Sequence, residues 1–217
     1  MIDRSFDDER IASYIASLSV GNSELINQIE KEALEDQVPI IRKETQGLLR
    51  FLIHSFKPES ILEVGAAVGF SSLFMWEASG KRTKITTIEN YDKRIPVARA
   101  NFERAGASKD ITLIEGDAME VLKELEGQYP FIFMDAAKAQ YINYLPEVTR
   151  LLSDGGILIT DNVLQDGDVL QSRYGVTRRD RTIHSRMREY LYELTHSAVY
   201  TTSIINCGDG MALSVKK

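Results

Sequence analysis

The sequence has few of the features that mark secreted or membrane proteins. Cys207 is the only cysteine among 217 residues, which excludes an intrachain disulfide and suits a reducing compartment. No apolar run reaches the roughly 20 residues that a membrane-spanning helix needs. The first ten residues are rich in acids and lack a basic segment followed by an apolar core, so no signal peptide is expected. These absences predict a cytoplasmic protein without a membrane partner.

Positive charge is also scarce, since the formal net charge is −6. This balance argues against a surface covered by nucleic acid, although local patches can differ from the average. Hydrophobic residues make up 43% of the chain, enough for a substantial core. The length fits a single domain over 1–217, with 1–56 as an N-terminal helical extension. We find no internal repeat and no low-complexity segment.

Five short apolar runs each end in a carboxylate. Runs rich in Ile and Val that alternate with helical stretches indicate parallel strands covered on both faces. Because parallel strands end at the same edge of a sheet, these acids should gather where open α/β sheets bind ligands. The runs are 61–63, 85–89, 111–115, 131–135 and 157–161.

Helical spacing fills most of the remaining sequence. It extends from about 7 to 36 with a break at Gly21, where Asn22 or Ser23 is a suitable cap. Two last apolar runs, 198–205 and 211–215, flank Gly208-Asp209-Gly210, which predicts a hairpin. The pattern therefore predicts an α/β protein with a seven-stranded, mostly parallel sheet and a C-terminal antiparallel hairpin. Further helices are expected at 43–55, 70–79, 93–105, 118–125, 139–152 and 181–195, with a long loop at 163–180.

A glycine loop follows the first strand. Gly65 and Gly69 allow tight turns and close approach of a ligand at a helix N-terminus. Glu89 ends the next strand about 20 residues later, a spacing typical of carboxylates that bind ribose hydroxyls. Glu63, two residues before Gly65, would repel a pyrophosphate, which disfavours a nucleotide-dependent dehydrogenase. An acidic rim instead suits a positively charged adenosine compound such as S-adenosylmethionine.

Three oxygen donors follow the fourth and fifth strands. Asp135 and the pair Asp161-Asn162 have no His or Cys beside them, which suits a hard cation with open coordination sites. Mg²⁺ is the expected ion, and Mn²⁺ or Ca²⁺ could replace it. The alternative is that Asp161-Asn162 only caps a loop. Lys138 lies one helical turn after Asp135, and nearby positive charges should lower its pKa; alternatively it is a solvated lysine.

These motifs together resemble the class I S-adenosylmethionine-dependent methyltransferases. More narrowly, they are similar to the cation-dependent O-methyltransferases that include the catechol and caffeoyl-CoA enzymes, and the resemblance covers nearly the whole chain. It implies a Rossmann-like fold, a homodimer, a cation bound by the three oxygen donors and a catalytic role for Lys138 and Asp135. It further implies that Glu89 binds the ribose and Asp117-Ala118 the adenine. The methionine end would be held by Ser71 with Val38 and Gly65, and Glu63 and Asp135 are further expected cofactor-binding residues.

The acceptor is less constrained by the motifs. A chelating cation selects vicinal oxygens, which occur in catechols, in caffeoyl esters and in 5-hydroxyuridine. Six arginines lie between Arg173 and Arg188 with Asp180 as the one acid, a cluster that suits RNA phosphates, and Tyr174 could stack on a base. Arg42 and Lys43 add two cations that could help to hold RNA.

The arginine stretch and the C-terminal tail resemble bacterial tRNA 5-hydroxyuridine methyltransferases, which make 5-methoxyuridine at the wobble position. This resemblance predicts tRNA as the partner of the 173–188 segment. The alternatives are a small phenolic acceptor, with the arginines serving as a solvated face or a dimer contact. A protein that binds an adenosine ligand or RNA without catalysis is disfavoured, because a binder has no need of the metal ligands together with Lys138.

Overall fold

The N-terminal part of the chain forms three helices that lie against the sheet domain. The computed structural model describes residues 8–217, so the acidic stretch 1–7 and the predicted helix start at 7 lie outside the described residues. The helices are α1 (Asp8–Ser17), α2 (Glu24–Glu35) and α3 (Lys43–Phe56). Ser23 caps α2 by accepting a hydrogen bond from the backbone N–H of Ile26, which confirms one of the two predicted caps.

Seven strands form one sheet in the order β3-β2-β1-β4-β5-β7-β6. The first five strands are parallel to one another, whereas β7 is antiparallel to both β5 and β6. This confirms the predicted Rossmann-like α/β class with an antiparallel C-terminal hairpin. The strands are β1 (Ser60–Val64), β2 (Lys84–Glu89), β3 (Ile111–Glu115), β4 (Tyr129–Met134), β5 (Leu152–Thr160), β6 (Tyr200–Ile205) and β7 (Met211–Lys216).

Helices cover both faces of the sheet and enclose two apolar clusters. One cluster joins α2 and α3 to α4 through residues such as Ile26, Leu49 and Phe74. The other places Tyr141 and Tyr190 against the opposite face. Among residues 8–217, no helix is long and apolar enough to cross a bilayer. The remaining helices are α4 (Phe70–Ala78), α5 (Ile95–Arg104), α6 (Ala118–Glu124), α7 (Tyr141–Leu151) and α8 (Arg181–His196).

The C-terminal hairpin brings its turn to the ligand-binding edge of the sheet. Thr160 at the end of β5 pairs with Ala212 near the start of β7, so the turn that precedes β7 lies beside the carboxyl ends of the parallel strands. The predicted loop at 163–180 contains a 3₁₀ turn, Gln165–Leu170. Asp166 in this turn has a left-handed backbone with φ of 50°. The long loop is therefore partly ordered next to the hairpin.

Candidate active site

A cavity of about 580 Å³ opens at the carboxyl edge of the sheet. Six parts of the chain meet there: the segment before α3, the glycine loop, the ends of β2, β4 and β5, and the hairpin turn. Its lining includes Arg42, Gly65, Ser71, Glu89, Ala118, Asp135, Lys138, Asp161, Asn162, Asp166 and Asp209.

The glycine loop forms one wall because its backbone passes close to β4. Gly65 has φ of 104°, a conformation that favours glycine. A Cβ atom there would collide with the backbone carbonyl oxygen of Asp135. Gly69 has φ of 78° and is the N-cap of α4. The two glycines therefore allow the cavity to extend between β1 and β4 up to the start of a helix.

Glu89 lies in the cavity with its carboxylate fixed by backbone donors. Its Oε2 accepts a hydrogen bond from Ala67 N at 2.6 Å, and its Oε1 accepts from Asn90 N and Tyr91 N, both at 2.9 Å. A carboxylate has about four lone-pair sites, so acceptor capacity remains on Oε2. The side chain is thus held in one orientation with room for a further donor.

Glu63 lies behind the cavity wall and does not line it. Its carboxylate accepts hydrogen bonds from Ser72 and, at 2.5 Å, from Thr87 Oγ1, while its Oε1 is buried without a partner. Burial raises the pKa of Glu63, and the nearby hydroxyl groups of Ser71, Ser72 and Thr87 act against this rise. Of these residues, Ser71 lines the cavity. Glu63 thus supports the wall on which Ser71 lies.

Two other predicted cofactor residues lie at the margin of the cavity. Val38 packs on the first apolar cluster, and it is the next four residues, 39–42, that line the cavity. Asp117 caps α6 by accepting a hydrogen bond from Met119 N at 2.9 Å, while its neighbours Gly116 and Ala118 are lining residues. Both residues therefore shape the backbone that forms the wall.

The three predicted metal ligands lie together at the ends of β4 and β5. Asp135 and Asp161 continue the sheet pairing, since their N–H groups donate to Val64 O and Met134 O, each at 3.0 Å. Asn162 has a left-handed backbone with φ of 59°, which Asn tolerates better than most residues. All three line the cavity.

The electrostatics of this group favour a cation. Burial, followed by the charge of Glu63, raises the pKa of Asp135 to about 6. Burial, followed by the charge of Asp135, raises the pKa of Asp161 to about 7. Among residues 8–217 no three His, Cys, Asp or Glu side chains form a metal cluster. The set here consists of two carboxylates and the Asn162 amide, and two mutually repelling carboxylates beside a hard amide oxygen fit Mg²⁺.

Lys138 lies at the same wall and pairs with a residue that the sequence analysis assigned only to a hairpin. Its Nζ donates to Asp209 Oδ2 at 3.2 Å, and the side chain of Asp209 is only 5% exposed. Asp209 Oδ1 also accepts from the backbone N–H of Asp166 at 2.5 Å. The sequence signal that could have pointed to Asp209 was the hairpin turn that contains it. The sequence did not reveal, however, which strand of the hairpin pairs with β5.

The arginine-rich segment is only partly available to a partner. Arg186 donates to Ala139 O at 3.1 Å and Arg188 to Val169 O at 3.0 Å. The guanidinium carbon of Arg181 lies over the ring of Tyr174, 5.6 Å from the ring centroid. The remaining three arginines are exposed, and within 8–217 they form no ion pair; they are Arg173, Arg178 and Arg179.

Known proteins with the same fold and sequence pattern are methyltransferases. A family model described as O-methyltransferase matches residues 16–217. A catechol O-methyltransferase from Niastella koreensis is 30% identical over 96% of this chain and 97% of that protein. A solved structure from Staphylococcus aureus, whose assignment as a caffeoyl-CoA O-methyltransferase is provisional, is 32% identical. It has a TM-score of 0.89 and covers 96% of this chain and 100% of that one.

A more distant solved structure supports the fold alone. The methyltransferase PaMTH1 of Podospora anserina, solved with S-adenosylhomocysteine bound, is 24% identical with a TM-score of 0.87, over 100% of this chain and 98% of that one. The seven-stranded sheet with its antiparallel C-terminal strands is therefore a methyltransferase fold. Since the family model covers nearly the whole chain, the protein belongs to the O-methyltransferase family.

Proposed function

We propose that this enzyme transfers a methyl group from S-adenosylmethionine to one of two vicinal oxygens on a small phenolic acceptor of the catechol type. The observation that carries the proposal is the meeting of two sets of residues in one cavity. The glycine loop and Glu89 form one end, while Asp135, Asp161, Asn162 and Lys138 form the other. A donor bound at the first end and an acceptor bound at the second would be adjacent.

The cofactor end offers donors and acceptors that match an adenosine with a charged methionine tail. Glu89 retains acceptor capacity for ribose hydroxyls. Ser71 and the close backbone at Gly65 suit the methionine end, and Ala118 offers an apolar contact for the adenine edge. Asp135 supplies negative charge between the two ends, which favours a sulfonium. We therefore assign ribose binding to Glu89 and methionine binding to the Gly65–Ser71 wall, with Glu63, Val38 and Asp117 acting through the residues beside them.

The acceptor end provides chelation and charge. A divalent cation held by Asp135, Asp161 and Asn162 would bind both vicinal oxygens of the acceptor and acidify the attacking hydroxyl. The protein's own contribution is to fix the acceptor oxygen in line with the methyl donor. The ion pair of Lys138 with Asp209 holds a charged ammonium at this wall. We therefore assign Lys138 to stabilising the acceptor oxygen as an anion, a role worth about 100-fold or more in rate for a well-placed donor.

Two features favour a small acceptor over tRNA. Lys43, one of the two cations considered for RNA contact, instead pairs with Glu30 at 2.5 Å. Arg186 and Arg188 donate to the protein's own carbonyl groups, so these two guanidinium groups have fewer N–H donors left for phosphates. The catechol O-methyltransferase of Niastella koreensis, similar over nearly its full length, supports the same choice.

A tRNA carrying 5-hydroxyuridine is the second candidate, and one observation favours it. Arg173, Arg178 and Arg179 are exposed on the segment that follows the 3₁₀ turn at the cavity, and they make no ion pair among the described residues. Exposed arginines suit phosphate binding. The 5-hydroxyl and 4-carbonyl of this base are vicinal oxygens, so the same chemistry would apply.

Two parallel reactions distinguish the candidates. Purified enzyme with S-adenosylmethionine and Mg²⁺ is incubated with catechol in one reaction and with 5-hydroxyuridine-containing tRNA in the other. Methylated catechol and nucleosides are then measured by mass spectrometry. We expect a higher kcat/KM on catechol. A preference for tRNA that disappears when Arg173, Arg178 and Arg179 are replaced together by Ala would establish the second candidate.

A further substitution tests whether the two ends of the cavity act separately. Asp161→Ala should abolish methylation and leave S-adenosylmethionine binding, measured by calorimetry, within about threefold, because Glu89 and the glycine loop are untouched. Methylation of either acceptor that survives both this substitution and EDTA would exclude the proposed cation site. Loss of cofactor binding in the same variant would contradict the division of the cavity.

A further inference from the structure

Asp209 is buried at the acceptor end of the cavity, and its two carboxylate oxygens have different partners. Oδ2 accepts from Lys138 Nζ at 3.2 Å, and Oδ1 accepts from Asp166 N at 2.5 Å. The side chain is 5% exposed, whereas that of Lys138 is 34% exposed. A buried carboxylate needs such partners to offset the loss of its hydration. Asp209 thus connects the hairpin turn, the 3₁₀ turn and Lys138.

We propose that Asp209 is a positioning residue, which acts on methyl transfer by holding the Lys138 ammonium toward the acceptor oxygen. This inference rests on the proposed function, because it needs Lys138 to act on the acceptor. Lysine has a flexible four-carbon stem, so its ammonium requires a fixed partner to stay in one place. Asp209, which accepts from Lys138 Nζ at 3.2 Å, is such a partner.

The backbone around Asp209 makes it a rigid anchor. Its own carbonyl accepts from Leu164 N at 2.9 Å, and the carbonyl of Gly210 accepts from Val163 N at 3.0 Å. Within the turn, Gly210 N donates to Cys207 O at 3.0 Å. The turn is therefore bonded to the chain that leaves β5, and the position of Asp209 is fixed relative to Asp161 and Asn162.

Two other carboxylates compete with Asp209 for the Lys138 ammonium. Asp135 and Asp161 both interact electrostatically with Lys138, and either could attract its ammonium. An ammonium paired with them would lie on the residues proposed to bind the cation and away from the acceptor. Asp209 supplies a third carboxylate, whose Oδ1 is held by Asp166 N while its Oδ2 accepts from Lys138. It therefore keeps the ammonium at the side of the cavity.

A double-mutant cycle tests whether Asp209 acts through Lys138. Asp209→Asn is the informative change, because the amide oxygen can still accept from Asp166 N while the amide NH₂ faces the ammonium as a second donor. The assay uses catechol or the 5-hydroxyuridine tRNA, whichever the wild-type enzyme methylates. We expect kcat to fall about 10- to 100-fold, the range for losing one charge-assisted hydrogen bond. The affinity for S-adenosylmethionine should stay within about twofold.

In a Lys138→Met background, Asp209→Asn should lower kcat by less than about twofold, because its target is gone. The matched control is Asp168→Asn, which removes a carboxylate from the neighbouring turn without touching Lys138 and should leave kcat unchanged. Asp209→Ser provides the same cycle if the Asn variant unfolds in a thermal melt. Equal losses in both backgrounds, or an undiminished rate for Asp209→Asn, would overturn the inference. Failure of the proposed function is distinct, since wild-type enzyme would then methylate neither acceptor.

Discussion

Metal-free enzyme should lose thermal stability as the pH rises from 5 to 8, because two buried carboxylates must then ionise, and the charge of Asp135 adds to the cost at Asp161. Asp135 has a pKa of about 6 and Asp161 of about 7 in the folded chain, against about 3.9 for an unfolded aspartate. Between these values the folded state binds more protons than the unfolded state. Stability therefore falls as the pH increases through this window.

The size of the effect follows from the pKa difference of Asp161. Ionising a group with a folded pKa of about 7 in place of about 4 costs about 3 kcal/mol between pH 5 and pH 8. Asp135 shares the same repulsion, so its contribution is not added in full. For a chain of this length, 1 kcal/mol corresponds to about 2 to 4 °C in Tm. The expected loss is therefore about 6 to 12 °C.

The assay is differential scanning fluorimetry of EDTA-treated protein at pH 5 and pH 8. Asp161→Asn isolates the effect, because its neutral amide resembles the protonated carboxyl and relieves Asp135 as well. In this variant, most of the decrease in Tm between pH 5 and pH 8 should disappear. The control Asp92→Asn, at an exposed position, should behave like wild type. Excess Mg²⁺ at pH 8 should restore the wild-type Tm by binding the folded state and have little effect on Asp161→Asn.

Two results would refute this reasoning. If the Tm difference between pH 5 and pH 8 were the same in wild type and Asp161→Asn, burial and the neighbouring charge would not raise the pKa of Asp161 in the folded chain. A Mg²⁺ response that is the same in wild type and Asp161→Asn would place any bound cation elsewhere. Each result bears on a different claim, since the first concerns electrostatics and the second ligand identity.

Two further predictions concern the cofactor end. Glu89→Gln should weaken S-adenosylhomocysteine binding by about tenfold or more in calorimetry, because a charged acceptor for two hydroxyls is lost; Glu115→Gln, at the end of the neighbouring strand, should not, and equal affinities would remove Glu89 from the site. Gly65→Ala should cost about 2 kcal/mol or more in urea unfolding, from backbone strain and collision. Gly127→Ala, which shares a positive φ but faces open space, should cost clearly less, and equal losses would exclude the collision.

The fold was predictable because each strand carries a local signal. The apolar runs, the helical spacing and the hairpin turn are short-range patterns, and the parallel order follows from alternating strands and helices. The boundaries differ where pairing extends a strand beyond its apolar part. β5 begins at Leu152 because that residue pairs with Tyr129, although Ser153, Asp154 and Gly155 do not resemble a strand.

The site was predictable where its residues end parallel strands. Glu89, Asp135 and Asp161 gather in one cavity for this reason, and Asn162 and Lys138 follow close behind in sequence. Asp209 was missed because its position depends on the pairing of β7 with β5, about 50 residues apart. The partners of Arg186 and Arg188 could not be predicted for a similar reason, since the carbonyl groups that accept from them lie in other elements.

The two ends of the cavity differ in how far apart in sequence their residues lie. The cofactor end is built from the consecutive β1-loop-α4 unit and the end of β2, so it depends little on the C-terminal third of the chain. The acceptor end requires β4, β5 and the hairpin turn to meet. A change in the hairpin turn should therefore alter which acceptor is methylated while the cofactor site is kept. A single scaffold that uses one donor can serve different acceptors because the two ends of its cavity are encoded in separate parts of the sequence.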